Sequence, residues 1–168
     1  MDKPNPNDET TAIWVLLNLA HRHVTGRFES ELKRAGLPNA RWYDVLWALE
    51  KRGGDEGLRQ FELESFSLFD QPNLSRTLKR MVDMGLVTQC PAQNDGRGRV
   101  LRITDQGRDL RARMWQVYGG LMIEEIEEKL PAELTKALGQ GLQYLLSNEI
   151  AEKFAHKFPP RDVPKDPS

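Results

Sequence analysis

Between residues 58 and 104 the chain changes its apolar period twice, and that run constrains the fold more than any other. A short helical repeat, Gln60–Phe66, precedes a polar break. A second helical repeat starts at Asp70 and carries Leu74, Leu78, Met81 and Val82 on one stripe. Pro72 falls in the first turn of that second helix, where a missing N–H costs little, and Gly85 ends it as a C′ residue. Then the period shortens to two. Residues 86–90 read as a strand, 91–98 as a loop rich in Gly and Arg, and Arg99–Ile103 as the returning strand. Leu101 and Ile103 fall on its buried face, Val100 and Arg102 on its exposed one. Helix, turn, helix and hairpin in that order describe a helix-turn-helix followed by a wing. Such a unit offers one protruding helix to a major groove and a basic finger beside it.

Charge supports double-stranded DNA as the partner, but only locally. The whole chain has a formal net charge of -1. Residues 76–102 carry six basic side chains (Arg76, Lys79, Arg80, Arg97, Arg99, Arg102) against Asp83 and Asp95, a balance of +4. A phosphate backbone responds to the local field more than to the total. Five glutamates between 124 and 133 face Lys129 alone and read as a solvated helix face.

The flanks read as helix. Asn7 or Asp8 caps a first helix whose apolar stripe is Ile13, Leu16, Leu17, Ala20, Val24, Phe28 and Leu32, stopped by Gly36 and Pro38. Asn39 caps a second helix carrying Trp42, Val45, Leu46 and Leu49 inward, closed by Gly53 and Gly54. After the hairpin, Thr104 caps a long helix lined by Leu110, Met114, Val117 and Leu121, which Pro131 breaks. A last helix carries Leu134, Leu138, Leu142, Leu145 and Ile150.

These outer helices are longer and more apolar than a single winged helix requires, while only 39% of all residues are hydrophobic. A homodimer sharing its core would relieve that shortage. The expected organisation is one intertwined, mainly α domain. Residues 1–36 form an N-terminal dimerisation helix, 37–104 a winged helix-turn-helix lobe, 105–157 C-terminal dimerisation helices, and 158–168 a flexible Pro-rich tail.

Cys90 is the only cysteine, so an internal disulfide is ruled out and a reducing cytoplasm is expected. The N-terminal stretch lacks the pattern of a signal peptide, and no segment has the roughly 18 consecutive apolar residues of a membrane span. His21, His23 and His156 have no metal-ligand spacing with Cys90, and the expectation is neither metal nor cofactor. No nucleophile–base pairing or phosphate loop points to an enzyme.

The chain resembles the multiple-antibiotic-resistance regulator (MarR) family of winged-helix transcription factors. Leu58-Arg59-Gln60-Phe61-Glu62-Leu63 looks like the family's L-T-x-x-E-L entry to its third helix, with Arg59 at the usual cap. Leu74-Ser75-Arg76 with Leu78 and Arg80 resembles the recognition-helix core, and Gly85-Leu86-Val87 the exit into the wing. Asp95-Gly96-Arg97 is similar to the D-x-R wing. Thr104 and Gly107-Arg108 are similar to the entry into the dimer helix. The likeness runs from about residue 10 to 154. It implies a homodimeric regulator, most often a repressor, on a pseudo-palindromic operator. Members of the family often bind a small aromatic ligand between the dimer layer and the DNA-binding lobe.

Candidate site residues follow. Gln71 and Ser75 stand on the outer face of the recognition helix to read bases, Arg76 to grip guanine or phosphate, Lys79 to hold phosphate, and Asn73 either to reach a base or to satisfy the helix N-terminus. The plain alternative for all of these is an exposed helix face. The resemblance places Arg97 in or beside the minor groove, oriented by Asp95; a surface ion pair between the two is the plainer role. Arg99 contacts phosphate or merely solvates the strand end. Trp14, His21, Trp42 and Trp115 lie on helices that would border the ligand cleft, although tryptophans at helical spacing commonly just fill a core. Cys90 is either an oxidant-sensing thiol or an ordinary strand residue. A reading from another class remains: a winged-helix protein–protein adaptor that has lost contact with DNA.

Overall fold

The computed structural model describes residues 5–68, 72–91 and 99–154. Helix α1 (Asp8–Arg34) opens on Asn7, whose Oδ1 accepts from the Thr10 N–H at 2.7 Å. Helix α2 (Ala40–Ala48) continues into a π-helical turn, Leu49–Gly53. Asn39 occupies its N-cap without a side-chain bond. Instead the Ala40 N–H donates to Glu29 Oε1 of α1 at 3.3 Å, so a neighbouring helix supplies the cap.

Helix α3 (Gln60–Phe66) starts at Arg59, a residue with no acceptor to offer. Glu62 fills the gap by accepting from the Arg59 N–H at 2.6 Å, one arm of a capping box.

The recognition helix α4 (Leu74–Asp83) begins four residues later than the sequence pattern suggests. Asn73 adopts the left-handed conformation, φ 60° and ψ 37°, which α-helix cannot include. Pro72 therefore lies in the preceding turn rather than in the first turn of the helix. The Asn73 carbonyl then accepts from the Arg76 and Thr77 N–H groups. At the other end Gly85, φ 73°, donates to the Val82 carbonyl while Leu86 N–H reaches Met81. This is a Schellman closure, which favours glycine at that position. Leu74, Leu78 and Met81 are buried along the stripe between these ends.

Strands β1 (Val87–Pro91) and β2 (Arg99–Ile103) pair antiparallel, Val87 opposite Ile103 and Pro91 opposite Arg99. Val100, expected on the exposed face, is buried alongside Leu101 and Ile103. Leu58 adds a third, one-residue rung: it exchanges both backbone hydrogen bonds with Leu101 at 3.0 and 2.8 Å. The start of α3 is thereby pinned to the wing.

Helix α5 (Asp105–Met122) is capped by Thr104 Oγ1, which accepts from the Gly107 N–H at 3.1 Å and donates to the Gly85 carbonyl at 2.7 Å. One hydroxyl thus joins the end of α4 to the start of α5. A Cβ on Gly107 would stand 2.2 Å from the Leu86 carbonyl oxygen, so only glycine allows this approach.

After a π-helical turn, Ile123–Glu127, come α6 (Ala132–Leu145) and α7 (Asn148–Phe154). The single terminal helix expected from the leucine spacing is therefore two, the second opened by Ser147, whose Oγ accepts from the Ile150 N–H at 3.3 Å.

One core runs through the protomer. Phe28 and Leu32 of α1, Val45 and Leu46 of α2, Leu63 of α3, Leu78 and Met81 of α4, Leu101 and Ile103 of β2, and Met114 and Tyr118 of α5 are all buried together. The N-terminal half of α1 and helix α6 contribute little to it. Helix α6 has no buried residue, and Ile13, Leu16, Leu138 and Leu145 are each at least half exposed. Among the described residues no helix is long and apolar enough to cross a membrane.

Candidate nucleic-acid interface

Helix α4 separates its faces by size and polarity. Leu74, Leu78 and Met81 anchor it, each burial worth roughly 1.5–3 kcal/mol, while Ser75, Arg76 and Lys79 are exposed. Ser75 Oγ accepts from Gln60 Nε2 at 2.8 Å, so the first residue of α3 touches the first turn of α4. Arg76 enters no ion pair among the described residues. Lys79 Nζ lies 2.9 Å from Asp83 Oδ2, both side chains more than half exposed. An exposed i,i+4 pair is worth about 0.3–0.5 kcal/mol, weak enough for Lys79 to exchange it for a phosphate. Arg80 behaves differently: its guanidinium lies 5.7 Å from the ring centroid of Trp42 and bears on the protein's own core.

Asn73 sits in the turn ahead of the helix with its side chain exposed and makes no cap bond, so its amide faces outward. On the wing, Arg99 Nη1 donates to Gln89 Oε1 at 3.1 Å, tying the two strands at their exposed face. Cys90 is a free, partly buried thiol paired with Val100 in the ladder. Gln71, Asp95 and Arg97 lie outside the described residues.

The candidate ligand residues divide. Trp42 is buried beneath Arg80. Trp115, partly exposed, stacks on Tyr43 with centroids 6.2 Å apart. Trp14 and His21 stand exposed two turns apart on α1. An open groove of about 540 Å³ at the α1–α2 corner is lined by Glu29, Ser30, Lys33, Leu37 and Asn39, and includes none of the four. Among the described residues no group of three or more His, Cys, Asp or Glu side chains is placed to hold a metal ion.

Three arrangements escape the sequence pattern. Phe28, Tyr118, Tyr43 and Trp115 form a column of stacked rings drawn from α1, α5 and α2, with successive centroids 4.1, 4.8 and 6.2 Å apart. Beside it Glu50 pairs with Arg111 and, at 3.6 Å, with Arg108.

The third corrects the reading of the glutamate cluster as a solvated face. Glu125 has a side chain only 3% exposed, contacted by His23 Nε2 at 3.1 Å, Arg27 Nη1 at 3.2 Å and Lys129. The Lys129 hydrogen bond first, with His23 and Arg27 adding to it, holds the Glu125 carboxyl below the usual carboxylate range despite its burial. Glu125 continues the buried face of Tyr118 and Leu121 at ordinary helical spacing, while Glu124 and Glu127 beside it are exposed.

Comparison with known proteins places this geometry. Residues 35–98, the lobe from the α1–α2 corner to the wing, match the model of the MarR family. The chain is similar to the HTH-type transcriptional repressor IacR of Pseudomonas putida, 29% identical over 126 residues, covering 75% of this chain and 70% of that protein. Its fold is similar to Sco3205, a MarR family transcriptional regulator from Streptomyces coelicolor solved in complex with DNA. There the TM-score is 0.73 and the identity 21%, covering 95% of this chain and 98% of that one. CouR from Rhodococcus jostii RHA1, solved bound to p-coumaroyl-CoA, is similar with a TM-score of 0.65 and 22% identity, over 79% of this chain and 90% of that one. The two structural likenesses establish a shared winged-helix fold.

Proposed function

We propose that this chain is a regulator of the MarR family, whose model and relatives it matches, and that it regulates transcription by binding an operator duplex as a homodimer. The observation that carries the reading is the face of α4. Its apolar stripe is buried in the lobe, while Ser75, Arg76 and Lys79 are exposed beside a hairpin carrying Arg99. Such a helix fits a major groove, with short polar groups toward base edges and cations toward phosphate. Similarity to a protein named as a repressor and to a regulator solved with DNA supports it.

The apolar residues exposed on α1 and α6 supply the pairing surface. Two copies joined there would present two α4 helices to successive major grooves, about 34 Å apart, on a pseudo-palindromic site. Gln71 and Asn73 extend the reading face. Arg97, set by Asp95, carries the wing contact. Release by a small aromatic ligand is the regulatory part of the proposal, supported by the ligand-bound relative and by the half-exposed Trp115 at the end of the ring column. A ligand acts here only through its different affinity for the two dimer geometries.

Selection of bound duplexes from random DNA by the purified chain tests the function, and the consensus length gives the half-site spacing. With the selected operator in hand, Arg76→Ala should weaken binding by roughly 1–3 kcal/mol and relax sequence choice. Lys79→Ala should weaken all duplexes alike and lower the salt slope by about one. Wild-type affinity for every duplex from both Arg76→Ala and Arg97→Ala would remove these residues from the interface.

A further inference from the structure

We infer that Gln60 sets the hydrogen-bonding polarity of Ser75, so that α4 presents a donor there and selects a base edge bearing an acceptor. The inference rests on the DNA-binding reading above. Gln60 is the first residue of α3, and its Nε2 donates to Ser75 Oγ at 2.8 Å across the helix–turn–helix. A serine hydroxyl has one hydrogen and two lone pairs. Left alone it rotates to suit either sign of partner, and it discriminates poorly between bases.

Here the Gln60 amide occupies one lone pair, and the O–H points away from that donor. Among the described residues no acceptor takes the Ser75 hydrogen. Both side chains are exposed, so the hydrogen remains available to a partner outside the protein. In the major groove guanine offers O6 and N7 and thymine offers O4 as acceptors, whereas cytosine offers only the N4 amino donor. A Ser75 held as donor favours guanine or thymine and disfavours cytosine. Adenine, with N7 and N6 side by side, falls between. Gln60 is a positioning residue: it shapes base choice without touching DNA.

Selection from random duplexes by the full chain and its Gln60→Leu, Gln60→Glu and Ser75→Ala variants tests this, with thermal unfolding confirming that each variant is folded. The wild type should prefer guanine or thymine over cytosine at one half-site position by roughly three- to tenfold, the worth of one hydrogen bond. Gln60→Leu, which keeps the size and removes the donor, should reduce that preference below about twofold at that position alone. Gln60→Glu accepts the Ser75 hydrogen and should turn the preference toward cytosine or adenine; its added charge weakens all duplexes alike and does not move base choice. In Ser75→Ala the preference should be absent, and adding Gln60→Leu should change nothing further. Unchanged base preferences in both Gln60 variants would overturn the inference and leave the DNA-binding reading intact. A wild-type chain that enriches no sequence would overturn both.

Discussion

Tyr43 stacks on Tyr118 with ring centroids 4.8 Å apart and planes 17° from parallel, joining α2 to α5 at the centre of the ring column. Burial raises the pKa of both hydroxyls above the usual tyrosine value of 10.0. For Tyr43 a hydrogen bond and charge from Arg111 oppose the rise without cancelling it. A raised folded-state pKa on an acid means that the folded protein holds its proton where the unfolded chain has released it. The associated stability is complete below pH 10 and is lost as pH rises past it. Thermal midpoints should therefore hold up to about pH 10 and fall as the pH rises above it. Tyr118→Phe, less stable or equal at neutral pH, should show a shallower alkaline decline.

The Glu125 cluster has the opposite sign. Its carboxyl titrates below the ordinary value of 4.5 because Lys129 first, then His23 and Arg27, favour the charged form. The stability it contributes is present above pH 4.5 and drains away as pH falls through the lower folded value. Glu125→Gln should unfold at a lower temperature than wild type at neutral pH, and the difference should shrink on acidification. A gap that stays constant down to about pH 3 would show that the cluster is not what acid disrupts.

Gly107→Ala places a methyl group 2.2 Å from the Leu86 carbonyl oxygen, a backbone atom that cannot turn aside. The junction of α4, β1 and α5 must open to admit it. The expected loss is about 1–3 kcal/mol or more, measured by denaturant unfolding. Gly120→Ala on the same helix meets nothing within 4 Å and should be neutral or stabilising.

Dimer formation through the outer helices predicts a separation of effects. Leu16 and Leu138 are exposed in the protomer, 63% and 50%, so a charge at either position leaves the core untouched. Leu16→Glu combined with Leu138→Glu should convert a dimer into a monomer in sedimentation experiments while the winged lobe stays folded. Operator affinity should fall steeply, because half-sites would bind singly. A double variant that remains dimeric would move the interface elsewhere.

Regular periodicity was legible in the sequence. The buried stripes of α4 and α5, the strand β2 as an element, the caps at Asn7 and Thr104, and the Gly85 terminus all follow from local chemistry, and local chemistry determines them in the fold. Departures from regularity were not. Asn73 in left-handed backbone shortens α4; asparagine tolerates that conformation better than most residues, but it also suits an ordinary helix start. Glu125 lies on the regular buried stripe, but its partner His23 is 102 residues away, and the rung at Leu58 needs a partner 43 residues away.

The interface was legible by face but not by partnership. Ser75, Arg76 and Lys79 are exposed as expected, whereas the bond from Gln60 to Ser75 and the pairing of Lys79 with Asp83 depend on side-chain reach that spacing alone does not encode. Gly57, φ 80° and pressed against Leu101, was the available hint that residues 57 and 58 meet the wing.

The clasp at Thr104 has a mechanical meaning. With its hydroxyl bridging Gly85 and Gly107, and its N–H on the Leu86 carbonyl at 3.1 Å, the foot of α5 and the tail of α4 swing as one bracket. The 18 residues of α5 make a lever about 27 Å long, so a tilt of roughly 5° sweeps its far end through about 2 Å. In the proposed dimer, small changes of angle where two protomers cross would thereby be converted into the stride between their reading heads.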